Sequence, residues 1–208
     1  MKFYRSLFLI VFLSTFVDAS NVNEEYKIEM LIYKYNEIKT EENFDTELIK
    51  PSANSVIKYQ GEANKNKLSN FSNISNYFEN IINKNTNLSS DINPKTLYRD
   101  DEEIEVLKKL KKNISADKDK TFLDSKSWIQ TIPNYENSKY LSYSDTSNYG
   151  FYMKFYKKRF LHIELIGYLE EQNNIYNRFI NIEDRIFNEG VYFFDHPYFG
   201  MIVSINEI

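Results

Sequence analysis

FYMKFYKKRFLHIELIGYLE, residues 151–170, decides the fold. Phe151, Met153 and Phe155 alternate with Tyr152, Lys154 and Tyr156. After Lys157-Lys158 the alternation resumes, with Leu161, Ile163 and Leu165 set against His162 and Glu164. A period of two places successive side chains on opposite faces, which is the signature of a strand with one buried face. The segment is a hairpin or one long bent strand. The lysine pair is not a favoured two-residue turn, so the pattern leaves both open. Downstream, YNRFINIEDRIF (176–187) reads as a further strand after a turn at Asn173-Asn174. Val191 to Phe194, a turn at Asp195-His196-Pro197 and a last strand from Gly200 to Ile205 follow. Upstream, KSWIQTI (126–132) is bounded by Pro133, and a short strand runs through Lys139 to Tyr143.

Further out, EEYKIEMLIYKY (24–35) alternates Tyr26, Ile28, Met30 and Ile32 with Lys27, Glu29, Leu31 and Tyr33. The second set turns apolar in its later half, so this strand is expected to lie centrally and to be covered on both sides. A helix is expected after Asp100 or Asp101, which can cap it. Glu102 and Glu103 would stand in its first turn and Lys108 to Lys112 towards its end. Ile104, Leu107, Leu110 or the Lys111 stem, and Ile114 form one stripe. Between these elements, residues 36–100 are rich in Asn, Lys, Glu and Ser, with one helical window at 67–83. They read as a long, poorly structured insertion. The sum is an α+β domain: an antiparallel β-sheet of five to seven strands with an amphipathic helix on one face. A membrane barrel would need more strands, more regular and less charged.

Residues 1–19 are expected to be a cleaved signal peptide. Lys2 and Arg5 form its positive head, Leu7 to Phe16 its apolar core, and Val17-Asp18-Ala19 its cleavage site, leaving 20–208 as a single domain. The apolar run is roughly half of what a membrane span needs. The chain is acidic, with 26 basic and 30 acidic residues and a net charge of −4, which argues against nucleic acid as a partner. It has no cysteine, and His162 and His196 are its only imidazoles. Thiolate chemistry and zinc sites of three or more histidines are therefore excluded.

Phe194-Asp195-His196-Pro197-Tyr198-Phe199-Gly200-Met201-Ile202-Val203 resembles the terminal signature of the CsiV family, exported gammaproteobacterial proteins of cell-shape integrity described as peptidoglycan-binding. Three other pieces agree in order. They are the first strand, the Trp-x-Gln element Trp128-Ile129-Gln130, and Arg159-Phe160-Leu161-His162 preceded by Gly150. The resemblance covers 25–35 and about 104–205. It departs from the family's basic run: Arg185 matches, whereas Asp184 and Phe187 stand where Arg is expected, and Gly190 and Tyr192 replace Glu and His. The resemblance implies a periplasmic, non-enzymatic accessory protein of cell-wall biogenesis. Such a protein binds peptidoglycan, needs no cofactor, and helps an outer-membrane lipoprotein activator switch on a peptidoglycan synthase.

Seven residues are candidates for ligand contact. Trp128 and Gln130, two apart on one strand face, can stack on a sugar ring and bond its acetamido group, or Trp128 can sit in the core. Arg159 and Arg185 can grip a peptide-stem carboxylate bidentately, or form ordinary salt bridges. Lys154, Lys157 and Lys158 read as edge protection. Asp195 and His196 suit a ligand or the turn itself. His162 can pair with His196 if their strands adjoin, and the two with Glu164 or Asp195 can in principle hold Zn²⁺, although no spacing demands a metal. Catalysis would require Asp195, His196, His162 and a neighbouring acid to converge, as in a wall hydrolase. A third class, a protein-binding envelope scaffold, would show a flat apolar patch beside an open strand edge.

Overall fold

The computed structural model describes residues 24–38, 40, 47–59, 96–101, 103–145, 149–169 and 178–208. The expected signal peptide, the helical window at 67–83, the turn at Asn173-Asn174 and most of the insertion lie outside them. Among the described residues ten strands form two five-stranded sheets. The first runs β3 (Tyr98–Asp100), β4 (Lys120–Thr131), β1 (Glu25–Tyr35), β10 (Phe199–Glu207), β9 (Gly190–His196). The second runs β2 (Val56–Lys58), β5 (Tyr140–Ser144), β6 (Tyr149–Lys157), β7 (Leu161–Leu169), β8 (Phe179–Ile186). All pairings are antiparallel except β2 with β5. The α+β class holds, with one helix, α1 (Lys108–Ala116), on a sheet face. The strands divide between two sheets where one was expected. The insertion's described parts supply one short margin strand to each sheet, β2 and β3.

The core lies between the sheets. Tyr26, Ile28, Met30 and Ile32 of β1 meet Phe151, Met153 and Phe155 of β6, Ile163 and Leu165 of β7, and Trp128 of β4. The other face of β1 is also covered, as its apolar second half requires: Leu31 and Tyr33 pack with Ile202 beneath Leu107 and Ile114. Gly200 leaves room for the Tyr33 ring, since a Cβ there would lie 2.3 Å from its hydroxyl oxygen. Residues 151–169 form a hairpin, closed by Lys158-Arg159-Phe160 with the Lys158 N–H donating to the Phe160 carbonyl (3.0 Å).

The helix begins later than its stripe suggests, and for a reason remote in sequence. The Glu29 carboxylate, fully buried on β1, accepts the backbone N–H groups of Glu105, Val106 and Leu107 at 2.9, 3.1 and 2.8 Å. Those donors are fixed in a turn, and Leu107 becomes the N-cap in place of Asp100 or Asp101. Lys108 to Lys112 therefore stand at the start of α1, where the macrodipole disfavours cations, and the Glu29 charge offsets them. Among the described residues no helix is long and apolar enough to cross a membrane.

Candidate functional site

Trp128 and Gln130 are not available to a sugar. Both are buried between the sheets, the Trp128 indole N–H donates to Gln130 Oε1 (2.7 Å), and the indole stacks on Phe151 with centroids 6.2 Å apart. Cross-strand pairing with inward-facing Ile28 and Tyr26 fixes this direction. The core reading of Trp128 holds, and a ligand reaches neither ring face nor amide.

Asp195 and His196 also part company. β9 continues through both, the loop being Pro197-Tyr198, so the turn begins later than Asp195. Consecutive strand residues face opposite sides. Asp195 is exposed on the outer face and accepts the Tyr35 hydroxyl (2.9 Å). His196 points inward between Tyr198 and Phe199, its Nδ1 accepting the Tyr198 N–H (3.3 Å). Burial pushes its imidazole below the ordinary 6.5. Asp195 pulls the other way, and Arg178 adds to the lowering. His162 lies in the second sheet, paired with Arg185 and stacked on Tyr156 at 5.1 Å, so the two histidines do not meet. The convergence a hydrolase would need does not occur among these residues. Among the described residues no group of three metal-ligating side chains forms.

Arg159, His162 and Arg185 do come together, at the corner of the second sheet where the β6–β7 turn meets the end of β8. The Arg185 guanidinium carbon sits 3.3 Å from the Phe160 ring centroid and 4.7 Å from that of Phe187, and Arg159 shares the Phe160 ring at 5.4 Å. Lys158 lies over Tyr135 (4.7 Å) and Tyr156 (5.0 Å). Phe160 and Phe187 are 38% and 57% exposed, so parts of both rings remain open to solvent beside the guanidinium groups. Among the described residues none of Lys158, Arg159 and Arg185 has a carboxylate partner.

The acids nearest this corner are already engaged. Glu164 and Glu183 face each other across β7 and β8. Tyr140 donates its hydroxyl to Glu164, and Tyr156 to Glu183. Burial, then these bonds, hold both phenols well above their usual range. Lys154, 6% exposed, pairs with Glu164 (3.2 Å) inside a cage of Tyr135, Tyr140 and Tyr156 at 3.6, 5.4 and 5.1 Å. It is a structural ion pair where edge protection was expected.

The corner thus combines flat aromatic rings with three cations that have no carboxylate partner among the described residues, in an acidic chain. Stacked guanidinium groups keep their N–H edges for a planar anion, and exposed rings suit a sugar or a small apolar side chain. Tyr135, Phe160 and Phe187 were not among the ligand contacts expected from the sequence. The available signal was position: Phe160 adjoins Arg159, and Phe187 stands two residues from Arg185. No family model, no curated protein and no solved structure matches the chain.

Proposed function

We propose that this protein is an exported, non-enzymatic accessory factor of the periplasm that binds peptidoglycan and assists activation of peptidoglycan synthesis, in the manner of the CsiV family it resembles. The single observation that supports ligand binding is the corner of Lys158, Arg159 and Arg185 on the rings of Tyr135, Phe160 and Phe187. A cell-wall polymer offers what such a corner takes: carboxylates on its peptide stems for the guanidinium groups, and sugar faces for the rings. The mechanism is noncovalent. The partner implied by the resemblance is an outer-membrane lipoprotein that activates a synthase.

The test is cosedimentation of the purified protein with isolated sacculi over a salt series, with released muropeptides assayed in the same tubes. Saturable pelleting without release is expected, weakening as salt screens the cations. Arg159→Glu with Arg185→Glu is expected to lower the affinity about tenfold or more, equivalent to about 1.4 kcal/mol. Absence of pelleting at low salt overturns the reading, and release of muropeptides replaces it with that of a hydrolase.

A further inference from the structure

Each sheet has two margins, and three of the four are poor templates for another strand. β2 and β3 are three residues long, ending in Lys58 and containing Arg99 and Asp100. β8 exposes Glu183, Asp184 and Arg185 in succession. Shortness and charge are how sheet edges are protected. Among the described residues β9 is the least defended margin: it is seven residues long, Gly190 to Phe194 contains neither charge nor proline, its one carboxylate, Asp195, stands near its end, and only its start, where Tyr192 meets Phe187, is held against β8. Val191 is 37% and Phe193 62% exposed on its outer face.

The ladder shows which of its backbone groups are turned outward. Tyr35 N–H donates to the Tyr198 carbonyl and Ile208 N–H to that of Glu25, both at 3.0 Å. In the same register, the even-numbered residues of β10 bond to β1. An antiparallel strand alternates its bonding direction, so Phe199, Met201 and Val203 bond to His196, Phe194 and Tyr192 of β9. The N–H and C=O groups of Val191, Phe193 and Asp195 therefore point away from β10, along the margin. The same three residues carry the outward side chains.

We propose that the β9 margin receives an extended segment of a partner protein as a sixth, antiparallel strand. This segment has apolar residues beside Val191 and Phe193 and a lysine or arginine beside Asp195. Main-chain bonds to the three outward residues provide the affinity and the alternating side chains the selectivity. The charge pattern selects a different protein over a second copy. Two β9 strands paired antiparallel about Phe193 set Asp195 beside Val191, with no cation for the carboxylate, and a parallel pair sets Asp195 against Asp195. The margin belongs to the first sheet and the cationic corner to the second, so the inference stands whether or not the corner binds peptidoglycan.

The probe is a labelled, capped peptide carrying lysine, threonine, valine, threonine and isoleucine in that order. In antiparallel register the lysine lies beside Asp195, the valine beside Phe193 and the isoleucine beside Val191. Fluorescence anisotropy is expected to show saturable binding to the purified protein, with amide exchange slowed at Val191, Phe193 and Asp195. Glutamate in place of the lysine is expected to weaken binding about tenfold, and Asp195→Lys to reverse that preference. Because Asp195→Lys also loses the Tyr35 bond, Phe193→Lys is the second variant. It is expected to weaken lysine-peptide binding about tenfold with an unchanged melting curve. Lack of saturation, or indifference to both charge swaps, overturns the proposal. A concentration-dependent dimer in sedimentation equilibrium that Phe193→Lys dissolves assigns the margin to a second copy and overturns it equally.

Discussion

On the outer face of the first sheet, three successive outward residues of β1 are engaged by one strap of chain. Arg99 grips Glu25 (Nη2 to Oε2 2.8 Å), Lys27 pairs with Asp101 (3.0 Å) and Glu105 (2.6 Å), and Glu29 takes three backbone N–H groups. On the second sheet, Lys158, Arg159 and Arg185 rest on aromatic rings, with no carboxylate among the described residues. The first set closes a face and the second leaves one open. Charge satisfied within the chain specifies the fold. Charge held in place by rings, with its hydrogen-bonding edge unspent, is preorganised for something outside it.

The sharpest way to break this contrast is to remove one charge from each face. Glu29→Ala strands three backbone donors, that of Leu107 fully buried, and frees the helix start, and should cost about 3 kcal/mol in urea unfolding with the slope unchanged. Arg185→Gln should lie within about 0.5 kcal/mol of the parent. Equal costs would mean that the corner is structural as well. A second pair sharpens the contrast within one sheet. Lys154→Met leaves Glu164 without its cation and should cost about 1–3 kcal/mol, whereas Lys158→Met should cost about 0.5 kcal/mol or less. A third and smaller effect concerns pH. His196 is held neutral in the fold and takes a proton more readily once unfolded, so stability should be full above pH 6.5 and fall on acidification below it. His196→Gln should flatten that slope between pH 7 and pH 5, and an unchanged slope would assign it to other groups.

Much of the fold was legible, because period-two and period-three-to-four patterns report which side of an element is buried. The even residues of β1 and the stripe of Leu107, Leu110 and Ile114 face where their spacing says. What alternation cannot report is which sheet a strand joins, so two sheets were read as one. Nor can a local pattern find the start of α1, because the group that fixes it, Glu29, lies 76 to 78 residues away. The hairpin at 158–160 stayed open for a related reason: its turn lacks the Gly or Asn that usually marks one. For the site, Arg159, His162 and Arg185 were each visible, but their meeting depends on the β7–β8 register. Asp195 and His196 were placed in a turn, open to a ligand, because Pro197 follows them; β9 in fact runs through both, and adjacency within a strand guarantees opposite faces. Trp128 was ambiguous from its own strand alone, and its direction became definite only beside Ile28.

The pairing of β1 with β10, which joins Tyr26 to Glu207 and Lys34 to Phe199, has a consequence in time. A chain that emerges amino end first releases the centre of its first sheet long before the strand that completes it. Until residues 199–207 arrive, β1 has no β10, and β9 has nothing to pair with in that sheet. Contacts so distant in sequence delay folding, because the intervening loop must be closed before any of them forms. The first sheet is therefore expected to close only after the last strand is made. Slowed refolding on dilution from urea, with β1 amides protected only when those of β10 are, is the kinetic trace this ordering should leave.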